Sequence, residues 1–168
     1  KEWDELTAGY TDEVHVEKKT AYQAWLDLGK PEPKQSAPRD PRYTQHRPGN
    51  IYYGMLYPTL GYGFRGVIWY QGETNAGRPH LYADLMTKVI RNWREVWGQG
   101  DFPFYWVQLA DFKEESLVPQ DHEWSYLREA QSDTLDRLEH VGQAVAIDLG
   151  EGRDIHPRNK QVVASRLA

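Results

Sequence analysis

The chain has 168 residues, 39% of them apolar and 27% charged, which suits a folded domain with a real core and excludes an intrinsically disordered polymer. A formal net charge of −5, with no run of Lys and Arg, argues against nucleic acid or an anionic membrane as a partner. The absence of cysteine excludes disulfides, zinc–thiolate sites and a cysteine nucleophile.

The opening Lys1-Glu2-Trp3-Asp4 lacks the basic-then-apolar layout of a secretory leader. No apolar stretch approaches the roughly 20 residues that span a bilayer. Over residues 1–30, Ala21, Trp25, Leu26 and Leu28 have the spacing of a short helix. Pro31, Pro33, Pro38, Pro41 and Pro48 then place half of the ten prolines in one short segment. Residues 31–49 are therefore expected to be an irregular surface loop, because proline removes a backbone donor and locks φ. The aromatic run from Asn50 to Tyr57 reads as a helix broken near Pro58.

A regular alternation follows. Gly66 to Tyr70 is a short buried strand by its continuous apolar run. Pro79 opens a helix with Leu81, Leu85, Val89, Ile90, Trp93 and Trp97 on one face, and Gly98 stops it. Phe104 to Leu109 is a second strand. Trp124 to Leu138 is a second helix, with Leu127, Gln131 and Leu135 at four-residue steps. Ala144 to Ile147 is a third strand, and Pro157 opens a third helix carrying Val162, Val163 and Leu167. Strand–helix alternation of this kind implies an α/β fold with a parallel sheet covered on both faces.

In such a sheet, sites form beyond the carboxyl ends of the strands. The loops Gln71–Arg78, Ala110–Glu123 and Leu149–His156 should therefore share one edge. The first holds Gln71, Glu73, Thr74 and Asn75; the third holds Glu151, Arg153, Asp154 and His156. His156 precedes Pro157 and so sits at the expected helix cap, where the helix dipole disfavours a protonated imidazole and suits a general base. Asp154, two residues earlier, points the same way along an extended segment and can orient the ring. The same two residues equally fit a plain helix cap. Gln71 presents an amide donor, a group that stabilises a developing oxyanion by roughly 2.7–4 kcal/mol. Glu73 and Asn75 either shape this loop or touch substrate, and the stretch also fits an ordinary polar turn. Leu149-Gly150-Glu151-Gly152 is only half of a dinucleotide fingerprint and is discounted. The 7 Trp and 11 Tyr fill cores or line sugar sites.

Gly66-Val-Ile-Trp-Tyr-Gln-Gly-Glu-Thr-Asn75 and Asp148-Leu-Gly-Glu-Gly-Arg-Asp-Ile-His-Pro157 resemble the sialate O-acetylesterases, a family of SGNH hydrolases. Phe104 to Ala110, Leu127 to Gln131, Tyr52 to Pro58 and Arg166 to Ala168 fit the same pattern, so the resemblance covers about residues 50–168. It implies a three-layer α/β/α, flavodoxin-like fold. The parallel sheet would be incomplete because the N-terminal strands are missing. On this view the chain is a partial esterase domain, with a helical stretch over 1–30, a proline-rich loop over 31–49 and core βα units over 50–168.

The resemblance further implies His156 as general base, Asp154 as its acidic partner and Gln71 in the oxyanion hole, with no metal or cofactor. The substrate would be an O-acetylated sugar of the sialic acid type, in a secreted or periplasmic setting. The chain departs from the family in three ways. Tyr53 stands where relatives often have Asn, and many SGNH enzymes have Asp-x-x-His where this chain has Asp-Ile-His. The family's nucleophile motif is also unmatched: none of Ser36, Ser116, Ser125, Ser132 and Ser165 follows a strand into a sharp turn. The catalytic serine is therefore expected on an N-terminal polypeptide segment outside this chain. Two other readings stay open: a non-catalytic carbohydrate-binding relative, and a glycosidase using Glu73 and Asp154 as its carboxylate pair.

Overall fold

The proline-rich segment falls inside the first of two compact units and not between them. A computed structural model describes residues 2–45, 47–113 and 117–168, and its backbone falls into two compact units, Lys1–Leu60 and Gly61–Ala168. Ser116 lies outside the described residues.

In the first unit, α1 (Glu2–Thr7) precedes α2 (Asp12–Asp27). The second helix is longer than the spacing around Ala21–Leu28 indicated. Thr11 caps it by accepting the Val14 N–H, and Asp12 and Glu13 complement the helix dipole in the first turn. Trp25 is its one buried residue among those described, and the indole N–H donates to Pro31 O at 2.7 Å. Beyond it the described residues of the proline-rich segment are irregular apart from a 3-10 turn, Pro41–Tyr43. The aromatic run forms a π turn, Tyr52–Leu56, and then a 3-10 turn, Tyr57–Thr59, so the helical path changes and ends around Pro58, with Leu60 extended.

The second unit is an open parallel sheet of β1 (Val67–Trp69), β2 (Phe104–Gln108) and β3 (Val141–Val145), in the order β1-β2-β3. Val67 pairs with Phe104, which pairs with Val141; Trp69 pairs with Trp106, which pairs with Gln143. The first two strands fall where the apolar runs indicated, trimmed at their ends. The third starts three residues before the expected Ala144. Gly142 and Gln143 interrupt the apolar run, but the half-buried Gln143 amide is satisfied: it accepts the Trp106 indole N–H at 2.8 Å and donates to Ser132 Oγ at 3.1 Å.

Between β1 and β2 runs α3 (Tyr82–Trp97), entered through a 3-10 turn at Pro79–Leu81 and ended by Gly98 at φ 63°. Between β2 and β3 runs α4 (Glu123–Asp133), followed by a 3-10 turn, Leu135–Arg137, where a continuous helix to Leu138 was expected. Both helices pack on one face of the sheet. Met86 and Ile90 of α3 and Trp124 and Leu127 of α4 form one cluster with Phe104 and Trp106. The last helix, α5 (Lys160–Leu167), lies on the opposite face, where Val163 meets Val107, Ala110 and Ala146.

That second face is covered only in part, against the expectation of two covered faces: Ile68 is 73% exposed and Tyr105 39%. One eight-residue helix is too small to hide three strands. At the amino end of the sheet, the buried Arg94 guanidinium donates to the carbonyls of Phe102, Glu139 and His140. This ties α3 to the entries of β2 and β3 and leaves the opposite end to the loops.

Candidate active site

The first site loop is built on a close approach. Gly72 follows Gln71 at φ 154°, a conformation that glycine adopts and other residues rarely do. A Cβ there would already touch Gln131 Nε2, Leu109 Cδ1 and Leu127 Cδ2 at 3.4 Å each. The Gly72 N–H donates to Glu73 Oε2 at 2.9 Å, and Glu73–Asn75 form a 3-10 turn. Gln71 Nε2 donates one hydrogen to Asn75 Oδ1 at 2.9 Å. Glu73 thus shapes the turn, while Asn75 orients the Gln71 amide. The Gln71 carbonyl is held from behind by the Tyr82 hydroxyl at 3.0 Å and by Gln131 Nε2 at 3.4 Å. Burial pushes the Tyr82 phenol above its ordinary pKa, and the charge of Glu73 adds to this. Tyr70 is raised for the same two reasons, burial first.

The third loop is fixed at several points. After a 3-10 turn, Ile147–Leu149, Gly150 and Gly152 lie against Asp111 and the Lys113 carbonyl of the second loop. Arg166 of α5 grips Asp148 through two bonds, at 2.6 and 2.7 Å, and this holds the Asp148 carboxyl down at about 2. Glu151 and Asp154 close a tight turn, the Asp154 N–H donating to Glu151 O at 2.7 Å. Ile155 packs against the main core cluster. His156 beside it is left open to solvent, its side chain 85% exposed.

Two expectations about this loop are corrected. The last helix begins at Lys160 and not at Pro157, with Asn159 as its cap accepting the Val162 N–H. His156 therefore lies outside the helix end, and the dipole does not act on its ring as a cap position would require. Second, the segment is a turn and not extended. Asp154 Oδ1 accepts the His156 backbone N–H at 2.9 Å, while the ring Nδ1 lies 3.7 Å from that oxygen, outside hydrogen-bond range.

Gln71, Glu73 and Asn75 thus form one cluster, and Asp154 and His156 form another. Among the described residues no hydrogen bond or ion pair joins the two. They leave the same edge of the sheet, however, because all three strands are parallel. Lys160, at the start of α5, sets its ammonium 4.7 Å from the ring centroid of Tyr70, the residue before Gln71. Of the serines, Ser125 and Ser132 lie on α4 and Ser165 on α5. The Ser132 hydroxyl is taken up by Gln108, Gln143 and the Arg128 carbonyl. Among the described residues no three His, Asp or Glu side chains gather closely enough to hold a metal ion.

Sequence reading missed Tyr82 and the function of Gln131 behind Gln71. A signal for the second existed: Gln131 is a polar residue on the stripe that Leu127 and Leu135 mark as core-facing.

Residues 54–165 match the family described as carbohydrate esterase, sialic acid-specific acetylesterase. The chain is 34% identical over 137 residues to the sialate O-acetylesterase of Mus musculus, covering 70% of this chain and 24% of that protein. To the Homo sapiens sialate O-acetylesterase it is 33% identical over 153 residues, covering 80% and 29%. The crystal structure of a carbohydrate acetylesterase from Xanthomonas citri superposes with a TM-score of 0.62 at 46% identity, over 68% of this chain and 27% of that one. The chain therefore spans about a quarter of the length of these relatives.

Proposed function

The chain belongs to the sialic acid-specific acetylesterase family of carbohydrate esterases, and from that premise we propose that it supplies the histidine and the side-chain oxyanion donor of a serine esterase. The substrate in this reading is an O-acetyl ester on sialic acid or a related sugar. The nucleophilic serine comes from an N-terminal polypeptide segment outside this chain.

The observation that carries the reading is the Gln71 turn. Its side-chain amide is oriented by Asn75 and its backbone carbonyl is held by Tyr82 and Gln131, at the sheet edge from which the His156 loop also departs. An amide held before the reaction begins stabilises an oxyanion without reorganising at the transition state. In the reaction, the serine oxygen attacks the acetyl carbonyl carbon while His156 accepts the serine proton. The oxyanion takes the second Gln71 N–H. When the tetrahedral intermediate collapses, the sugar oxygen leaves with the proton from His156. Water, activated by the same ring, then releases acetate from the acyl-serine. Asp154 anchors the His156 backbone; as acid partner it requires the ring to close in by roughly 0.5–1 Å to reach hydrogen-bond distance.

The uncovered sheet face supports a further segment packing there. Ile68 lies in a strand yet is 73% exposed. The glycosidase reading loses its support: the family is an esterase family, and Glu73 and Asp154 each accept a local backbone N–H.

The test is acetate release from acetylated sialosides, with fluorophosphonate labelling read by intact mass. A protein joining this chain to its upstream segment should label on that segment and turn over, and His156→Ala should abolish turnover. The 168-residue chain alone should do neither, and a label on it would overturn the assignment of the serine. A second reading, a carbohydrate-binding relative without catalysis, fits the helical placement of Ser125, Ser132 and Ser165 equally well. Sugar binding with neither label nor acetate from the complete protein would establish it instead.

A further inference from the structure

The turn that carries Gln71 is held by a residue 60 positions away. Gln131 of α4 is fully buried, at 0% exposure. A buried primary amide is tolerated only when its donors and acceptor are met. Here Oε1 accepts the Leu109 N–H at 2.9 Å, and Nε2 donates to Val107 O at 3.3 Å and to Gln71 O at 3.4 Å. The network also settles which way the amide faces. Exchanging O and N would oppose donor to donor at Leu109 and acceptor to acceptor at both carbonyls.

These bonds stand where the sheet stops. The pairing of β1 with β2 ends at Trp69 and Trp106, so Gln71 has no strand partner. An apolar residue at 131 would suit the stripe shared with Leu127, but it would leave the Leu109 N–H and the Val107 carbonyl without this partner. Gly72 sits directly over the amide, so a shift of Gln131 is transmitted to the turn.

We propose that Gln131 is a positioning residue that locks the exit of β1 to the exit of β2 and so sets the direction of the Gln71 amide. Its catalytic meaning rests on the reading of Gln71 as the oxyanion donor; its structural action does not.

The first test uses the 168-residue chain and reads the Gln71 side-chain amide by NMR. Gln131→Met keeps the volume and removes the bonds. It should release the Gln71 amide, with loss of its dispersed shift and an order parameter below about 0.6. The Trp106 indole N–H, bonded to Gln143 on the same sheet face, should stay put. Thr134→Val removes a fully buried hydroxyl from the end of the same helix and serves as the stability control. Gln131→Glu keeps the acceptor for Leu109 and should disturb Gln71 while ionised. It should restore the Gln71 signal as pH falls through the raised pKa of that buried carboxyl, when one donor returns. A Gln71 amide as ordered in Gln131→Met as in the parent, or disturbed equally by Thr134→Val, overturns the proposal. Should Gln131→Met not fold, Gln131→Glu decides alone, and a Gln71 signal indifferent to its protonation overturns it.

In the protein that includes the serine-bearing segment, Gln131→Met should lower kcat about 10- to 100-fold with KM within about twofold. A released Gln71 amide with unchanged kcat would leave the brace standing and remove Gln71 from the reaction.

Discussion

Adding one methyl group at Gly150 should displace the histidine loop. Gly150 has φ −79° and ψ 176°, a backbone conformation open to any residue, so only its surroundings exclude a side chain. A Cβ would lie 2.0 Å from Asp111 Oδ1 and 2.3 Å from Asp111 O. The carboxylate can swing away, but the carbonyl belongs to the backbone that leaves β2. Ordinary carbon–oxygen contact needs about 3.3 Å, so the two loops must part by roughly 1 Å. His156 follows Gly150 by six residues in the same loop. A displacement of about 1 Å at a catalytic group costs on the order of 10²-fold in rate.

The series to make is Gly150→Ala, Gly152→Ala and Gly77→Ala. At Gly152 a Cβ meets Lys113 O at 2.7 Å, and at Gly77 it meets nothing within 4 Å. Acetate release by the serine-containing protein should fall most for Gly150, less for Gly152 and not at all for Gly77. Backbone amide shifts over 150–156 in the 168-residue chain should move in the same order. Gly150→Ala with amide shifts and kcat like those of Gly77→Ala would refute the packing on which the reasoning depends.

Gln71→Ala should lower kcat by about 10²–10³-fold, as loss of one oxyanion donor does, with a smaller change in KM, by steady-state kinetics. Leu127→Ala empties a fully buried position in the main cluster and should destabilise the chain by about 2–5 kcal/mol in urea titrations. Asp148 is held below its ordinary 3.8, at about 2, by Arg166. A depressed carboxyl stabilises the fold above the unfolded value, and that contribution is lost as pH falls through the folded one. The stability gap between the parent and Asp148→Asn should therefore be constant above about pH 5 and close between about pH 4 and 2. Ile68→Lys, at a site 73% exposed, should change the stability of this chain by no more than about 0.5 kcal/mol while weakening capture of the serine-bearing segment in a pull-down.

Much of the architecture was legible because it depends on local pattern. The face of α3 follows from its apolar spacing, and its end from Gly98, which takes the left-handed conformation that closes a helix. The order of strands and helices required a parallel sheet, and a parallel sheet required the loops after β1 and β3 to share an edge. Gln71, Glu73, Asn75, Asp154 and His156 could be named from that rule and from the family motifs.

Part of what failed depends on partners distant in sequence, and part on local caps that two residue types can imitate. The start of β3 was hidden because Gln143 looks too polar for a strand until Trp106 and Ser132 satisfy it. The start of α5 was misplaced because Pro157 imitates a first helical residue, whereas Asn159 supplies the cap. Which face would stay bare depends on the number of helices available to cover it. The sequence alone determined the residue types at the site and the edge they occupy, since periodicity and turn chemistry act over a few neighbouring residues. Tertiary structure alone decided that Gln131 and Tyr82 hold the Gln71 backbone carbonyl from behind, because only the packed chain brings groups 60 and 11 residues away within hydrogen-bond reach.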